Sequence, residues 1–347
     1  MKTHLNTLFV TLEDAYLRKD GAAVEIRHEG TTKLRVPLHN LDGIAVFSWN
    51  ATASASLMHA CGEANVALTF HSPEGKFLSS SQGPTSGNVL LRRAQYRASD
   101  LEPASVAIAR NLIRAKLANT RTLLQRVARD HGEKRPERAT ELLRCSDFLS
   151  VRMDLLARAS SLESLRGIEG DAAAAYFGVF NHLITLPSPG TLVLKGRTRR
   201  PPLDPVNALL SFHYSLLAHD CRSALESTGL DPQCGFLHRD RPGRPSLALD
   251  LMEELRPVLA ERATLTLINR QQIGEADFEA KENGAVLLKD DSRKTVLQHW
   301  QERKQTEIIH PFLQEKMTLG LVPHIQARLL ARHLRGDLDA YPAFLNK

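Results

Sequence analysis

Residues 234–257 hold the densest potential chemistry in the chain. His238 closes a Gly-Phe-Leu-His run, an Arg- and Pro-rich loop follows, and an apolar segment then delivers Asp250 and Glu253. A spacing of three puts the two carboxylates on one face of a helix. Residues 246–255 read as that helix, with Ser246 as its N-cap. One imidazole beside two carboxylates suits a hard divalent cation, Mn²⁺ or Mg²⁺, better than zinc. Arg239, Arg241 and Arg244 stand next to these groups. Cations around such a site fit an anionic substrate, of which phosphate is the commonest. Taken alone, the same stretch reads more readily as a solvated helix face behind a structural histidine, so the rest of the chain must decide.

The chain has 347 residues, 42% hydrophobic and 24% charged, which is the composition of a soluble globular protein with room for two domains. Cys61, Cys145, Cys221 and Cys234 lie far apart and form no CxxC pair, which excludes a zinc ribbon or a disulfide framework. Free thiols in a reducing cytoplasm are expected. The first residues lack an apolar signal core, and the longest apolar run, 172–180, is far too short to span a bilayer. The net charge of +6 is unevenly placed. Residues 1–85 carry 7 Lys+Arg against 8 Asp+Glu, while residues 103–129 carry six basic residues and no acidic one. A basic stripe on one domain points to a polyanion.

An α+β architecture is expected: a small, mostly antiparallel N-terminal β domain at 1–85, for packing and dimerisation, then an all-α domain at 86–347 with the candidate metal site and a basic surface for a polyanion. In the first part, residues 15–18 and 23–27 flank an Asp-Gly turn, and residues 33–37, 44–48, 66–70 and 76–79 read as further strands, with a short helix at 54–63. A Ser/Gly-rich linker follows at 79–87. Helices are expected at 89–96, 105–129 and 141–165. On the second of these, Arg110, Arg114 and Arg121 fall in one narrow sector, a row able to follow a phosphate backbone or simply to face solvent. Glu169 lies between two glycines and leads into an Ala-rich helix, at a point that small residues would make crowded. Residues 195–202 form a basic loop. Asp204 and Pro205 are placed as N-cap and N1 of an apolar helix that carries Asn207 and Tyr214 and ends at Gly229. The 246–255 helix is expected to run on past Pro257 with a kink. Residues 284–288 read as a short strand or turn, and 294–304 and 306–334 as amphipathic helices.

Four segments then line up in order: Arg-Gly-Ile-Glu-Gly at 166–170, Arg-Arg-Pro-Pro-Leu-Asp-Pro-Val-Asn at 199–207, Gly-Phe-Leu-His at 235–238, and Leu-Asp-Leu-Met-Glu-Glu-Leu-Arg-Pro at 249–257. Together they closely resemble the CRISPR-associated adaptation integrases, the first-numbered Cas endonucleases, most nearly the form found with type I systems of subtype C. The resemblance implies a homodimer, two copies of which flank a dimer of a small ferredoxin-like partner, the second Cas adaptation protein. It implies a metal triad of Glu169, His238 and Glu253 for Mg²⁺ or Mn²⁺, with Asp250 as a further catalytic acid beside the ion. Which of Asp250 and Glu253 is the closer ligand stays open at this point. The implied activity is insertion of foreign double-stranded DNA fragments into a CRISPR array, by attack of a 3′-hydroxyl on a phosphodiester in the repeat. Arg239, Arg241 and Arg244 are candidates for holding phosphates near the site, and Arg110, Arg114 and Arg121 for holding the duplex. The alternatives are a free-standing metal-dependent nuclease acting on branched DNA in repair, and an inactive DNA-binding scaffold.

Overall fold

A computed structural model describes residues 7–346 apart from 42, 65, 74, 76, 82–88, 187–189 and 191. The chain divides into two compact units, Met1–Gly87 with Asp290–Lys304, and Asn88–Lys289 with Gln305–Lys347.

The first unit contains β1 (Thr7–Val10), β2 (Tyr16–Asp20), β3 (Ala23–His28), β4 (Thr31–Pro37), β5 (Gly43–Phe47), β6 (Thr52–Ala53), α1 (Ala55–Glu63), β7 (Ala67–His71) and β8 (Phe77–Ser81). They form two four-stranded sheets, ordered β1-β5-β7-β8 and β4-β3-β2-β6. Leu17, Val24, Ile44, Val46, Leu57 and Leu68 fill the core of the unit. The hairpin between β2 and β3 forms where the Asp-Gly turn places it. The pairing is mixed rather than mostly antiparallel. β1–β5, β5–β7 and β2–β6 are parallel, and β2–β3, β3–β4 and β7–β8 antiparallel. Parallel neighbours need a crossover. Between β5 and β7 the connection includes α1, whose first turn is capped by the Ser54 hydroxyl accepting from Leu57 N. Of the expected linker, 82–87 lies outside the described residues.

The second unit is built on α2 (Val89–Asp100), α3 (Glu102–His131), α4 (Pro136–Arg158), α5 (Leu162–Gly178), α6 (Pro205–Thr228), α7 (Ser246–Glu253), a π-helical turn (Arg256–Glu261) and α8 (Arg262–Asn269). The hairpin β9 (Phe278–Ala280) with β10 (Val286–Leu288) follows. α9 (Asp290–Lys304) then returns to the first unit, where the Gln301 amide donates to the Thr7 carbonyl at 3.0 Å. A second hairpin, β11 (Glu307–Ile309) with β12 (Lys316–Thr318), and α10 (Val322–Leu334) complete the second unit. These two ribbons correct the expectation of an all-α domain.

α3 packs against α4, α5 and α7. Its buried side carries Ile108, Leu112, Ile113, Leu117 and Leu124, interrupted by three buried polar residues, Lys116, Asn119 and Thr120. α6 begins at the expected Asp204 cap, which accepts from Asn207 N at 2.7 Å, and ends at Gly229, whose φ of 87° suits glycine. Two helical readings need correction. The stretch 141–165 is divided, because α4 ends at Arg158 and the Ser161 hydroxyl caps a new helix at Ser164 N. The helix expected from 306 starts only at Val322. Pro311 disfavours helical backbone at His310, and the chain forms the β11–β12 hairpin instead. No helix among the described residues is long and apolar enough to cross a membrane.

Candidate metal centre

Asp250 organises the turn that presents His238. It is fully buried in the middle of α7. Its Oδ2 accepts from Phe236 N at 2.6 Å and Leu237 N at 2.9 Å. Its Oδ1 accepts from His238 N at 3.0 Å and pairs with His238 Nδ1 at 2.6 Å. Four donors around one carboxylate are what its burial requires. Gly235 makes the approach possible: a Cβ there would lie 2.8 Å from Ser246 Cβ and 2.9 Å from Asp250 Oδ2. Ser246 is not the cap of α7. Pro245 holds that position, and the Ser246 hydroxyl donates to the Arg239 carbonyl at 3.2 Å.

With its proton on Nδ1, facing Asp250, His238 turns Nε2 toward Glu253, 3.9 Å from Oε1. Carboxylates behind metal-ligating histidines act in this way, fixing ring orientation and tautomer. Asp250 thus has both oxygens engaged, and Glu253 is the carboxylate that His238 faces. Glu253 is itself buried, with Arg256 Nη2 3.0 Å from Oε1 and Lys116 Nζ 2.8 Å from Oε2. Burial pushes its carboxyl upward, but Arg256, Lys116 and His238 outweigh burial and hold it below the usual carboxylate range. Glu169, in the middle of α5, pairs through Oε1 with the same Lys116 Nζ. The point is not crowded: a Cβ on Gly167 or Gly170 would meet nothing within 4 Å.

Among the described residues no three His, Cys, Asp or Glu side chains close on one point at metal-binding distance. The Lys116 ammonium joins the two glutamates. Burial disfavours its charge, but Glu253 and Glu169 more than compensate and raise its pKa. The donor set still fits a hard divalent cation. Glu169 Oε1 and Glu253 Oε2 converge on one cationic point, His238 Nε2 faces the other oxygen of Glu253, and Glu253 Oε2 accepts no well-aligned hydrogen bond.

Several residues of the centre carried no individual role in the sequence reading. Lys116 is one, though its place among Leu112, Ile113 and Leu117 on an apolar face was a usable signal. Arg256, three residues after Glu253, also lies 4.9 Å from the Tyr214 ring centroid, and Tyr214 donates to Glu261 Oε1 at 2.8 Å. Glu254 accepts from Tyr341 Oη and Phe344 N, both at 2.5 Å, and from Gln326 Nε2 at 3.1 Å. Asn119 Nδ2 donates to the Glu254 carbonyl at 2.7 Å and to the Phe344 carbonyl at 2.9 Å. Residues 341–346 are thereby tied to the end of α7. Burial raises the Glu254 carboxyl to about 7 despite these donors.

Arg239 and Arg241 are exposed and Arg244 half-buried. Arg166, one turn before Glu169, donates to the Leu237 carbonyl at 2.8 Å. Burial and then the neighbouring charge of Arg239 lower the Arg166 pKa, while burial, Arg241 and Arg200 lower that of Arg244. Like charges pressed together in this way are relieved by an anion. The row on α3 is divided. Arg110 donates to the Leu156 and Ala159 carbonyls at 3.0 and 2.7 Å, and Arg121 to the Ser146 carbonyl at 2.9 Å, whereas Arg114 is exposed.

Residues 8–302 match the family described as CRISPR associated protein Cas1. The chain is 53% identical over 351 residues to CRISPR-associated endonuclease Cas1 2 of Rhodospirillum rubrum, with 100% of each chain covered. Its fold is similar to that of a casposase bound to integration product, with a TM-score of 0.82 and 24% identity over 98% of this chain and 93% of that one. It is also similar to a chain of a Cas6-RT-Cas1–Cas2 complex, with a TM-score of 0.81 and 24% identity over 98% of this chain and 36% of that one. The chain belongs to the Cas1 family of CRISPR-associated endonucleases.

Proposed function

We propose that this chain is a metal-dependent integrase that inserts foreign DNA fragments into a CRISPR array. The observation that carries this reading is the convergence of Glu169 and Glu253 on one cationic point, with His238 turned toward Glu253 by Asp250. Glu169, His238 and Glu253 would hold Mg²⁺ or Mn²⁺. Such an ion polarises a phosphate oxygen and neutralises developing negative charge. In the reaction, the 3′-oxygen of the fragment bonds to a repeat phosphorus while the bond from that phosphorus to a 3′-oxygen of the repeat strand breaks. One phosphorus–oxygen bond replaces another, and the proton given up by the attacking hydroxyl is balanced by the one the leaving oxygen gains. No covalent enzyme intermediate is needed.

The side chains of this unit orient the participants. Asp250 fixes the imidazole, and Arg256 fixes Glu253 Oε1. Arg166, Arg200, Arg239, Arg241 and Arg244 grip phosphates beside the centre, and Arg114 adds an exposed charge on α3. Water in place of the 3′-hydroxyl turns the same site to hydrolysis, consistent with the endonuclease name of the R. rubrum relative. The partners in this reading are double-stranded DNA, a second copy of the chain packed through the β unit, and a dimer of the small ferredoxin-like second Cas adaptation protein. Likeness to a casposase bound to integration product and to a chain of a Cas1–Cas2 complex supports it.

A half-site integration gel tests the proposal. Labelled fragment, repeat DNA and Mn²⁺ are combined with the chain, with and without the small partner. Joined product that disappears with Glu169→Ala is expected. Nicking of branched DNA without any joining would favour the repair nuclease instead.

A further inference from the structure

We propose that Lys116 is a built-in counter-ion of the metal centre, which an arriving divalent cation must displace. The inference rests on the metal-binding reading above. Lys116 reaches from the buried side of α3, with only 11% of its side chain exposed, and its one ammonium pairs with both Glu169 and Glu253. The carboxylates it joins are the two acidic members of the triad, so lysine and ion compete for the same oxygens. Arg256 keeps its own contact with Glu253 Oε1 and is not in the way. Without Lys116 the two carboxylates would repel each other at close range with only one charge partner between them. The lysine therefore holds the metal-free centre together, and its removal leaves the centre less stable but more avid for a cation.

Mn²⁺ binding to the full chain, followed by electron paramagnetic resonance and by the thermal shift that Mn²⁺ produces, tests this in Lys116→Met, which keeps the stem length and loses the charge. Breaking one charge-assisted hydrogen bond changes an equilibrium constant by about tenfold or more, so Lys116→Met should bind Mn²⁺ about tenfold more tightly. Its metal-free melting temperature should fall, and its Mn²⁺-induced shift should exceed that of the wild type. Lys116→Arg, which restores a cation, should bring affinity back to the wild-type value or below. It is the informative variant if the methionine form fails to fold. Wild-type chain that binds Mn²⁺ with an affinity unchanged or weakened in Lys116→Met would overturn the counter-ion role alone. Failure of both proteins to bind Mn²⁺ would overturn the metal-centre reading and this inference with it.

Discussion

Asp250→Asn keeps the shape of the side chain and halves what it can accept. The carboxylate has two donors on each oxygen: Phe236 N and Leu237 N on Oδ2, His238 N and Nδ1 on Oδ1. An amide offers one oxygen and one NH₂, so whichever way it is turned, two of the four donors face another donor. At about 1.5–3 kcal/mol for each hydrogen bond to a charged acceptor, the loss amounts to about 3–6 kcal/mol. Removing a buried charge works in the opposite direction, so the lower end, about 3 kcal/mol, is expected in urea unfolding. The second readout is Mn²⁺ affinity. With the 236–238 backbone loosened and Nδ1 misdirected, affinity should fall by about 10- to 100-fold, the range seen when the partner behind a ligating histidine is removed. An Asn variant with a wild-type unfolding midpoint and wild-type Mn²⁺ affinity would refute the claim that Asp250 acts through His238.

Glu169→Ala, His238→Ala and Glu253→Gln should each abolish strand transfer on a gel while leaving DNA binding by fluorescence anisotropy nearly intact. Glu253→Ala should in addition lose about 3–5 kcal/mol of stability, because it strands the buried charges of Arg256 and Lys116. Reversing Arg239, Arg241 and Arg244 together to Glu should reduce the log–log salt slope of duplex binding by about 2 to 3 units, at ~0.9 per phosphate contact. By contrast, Arg110→Ala and Arg121→Ala should each cost about 1–2 kcal/mol in urea melts and leave that slope unchanged, since their donors already meet helix carbonyls. The Glu254 carboxyl, raised to about 7 from an ordinary 4.5, binds a proton in the folded state that the unfolded chain has released. Its contribution is therefore complete below the unfolded value and disappears as pH rises through about 7, a loss of about 3 kcal/mol between pH 5 and pH 8 that Glu254→Gln should flatten.

What could be read from the sequence was whatever has a local pattern. The Asp-Pro start and glycine end of α6 mark their own helix, and the spacing of Asp250 and Glu253 places both on α7. The division of labour between those two carboxylates was not legible. It depends on backbone N–H groups 12 to 14 residues away, which any sequence supplies equally. The row of Arg110 and Arg121 lacked acidic partners and so read as free for DNA, but carbonyls at the end and in the middle of α4 serve as their partners. Parallel pairing of β1 with β5 joins residues 36 apart and leaves no trace in alternation. The return of Asp290–Lys304 to the first unit is equally non-local.

The π-helical turn at Arg256–Glu261 bears on which changes of length the chain can absorb. Pro257 lacks the N–H that would bond to the Glu253 carbonyl, and the backbone widens there by one residue. Five residues of regular α-helix would leave Arg256 and Glu261 about 140° apart around the axis. In the widened turn both reach Tyr214, one over its ring and the other at its hydroxyl. Deleting one residue from this turn would restore regular winding and leave Arg256 and Glu261 four positions apart, about 40° around the axis, so the segment beyond would keep its phase. α8 could then keep its apolar seat while Glu261 still faces Tyr214. The wide turn takes up the extra residue and keeps the two helical segments in phase. A one-residue deletion there would therefore be tolerated far better than the same deletion in the regular turns of α6, where it would rotate every residue beyond it by about 100°.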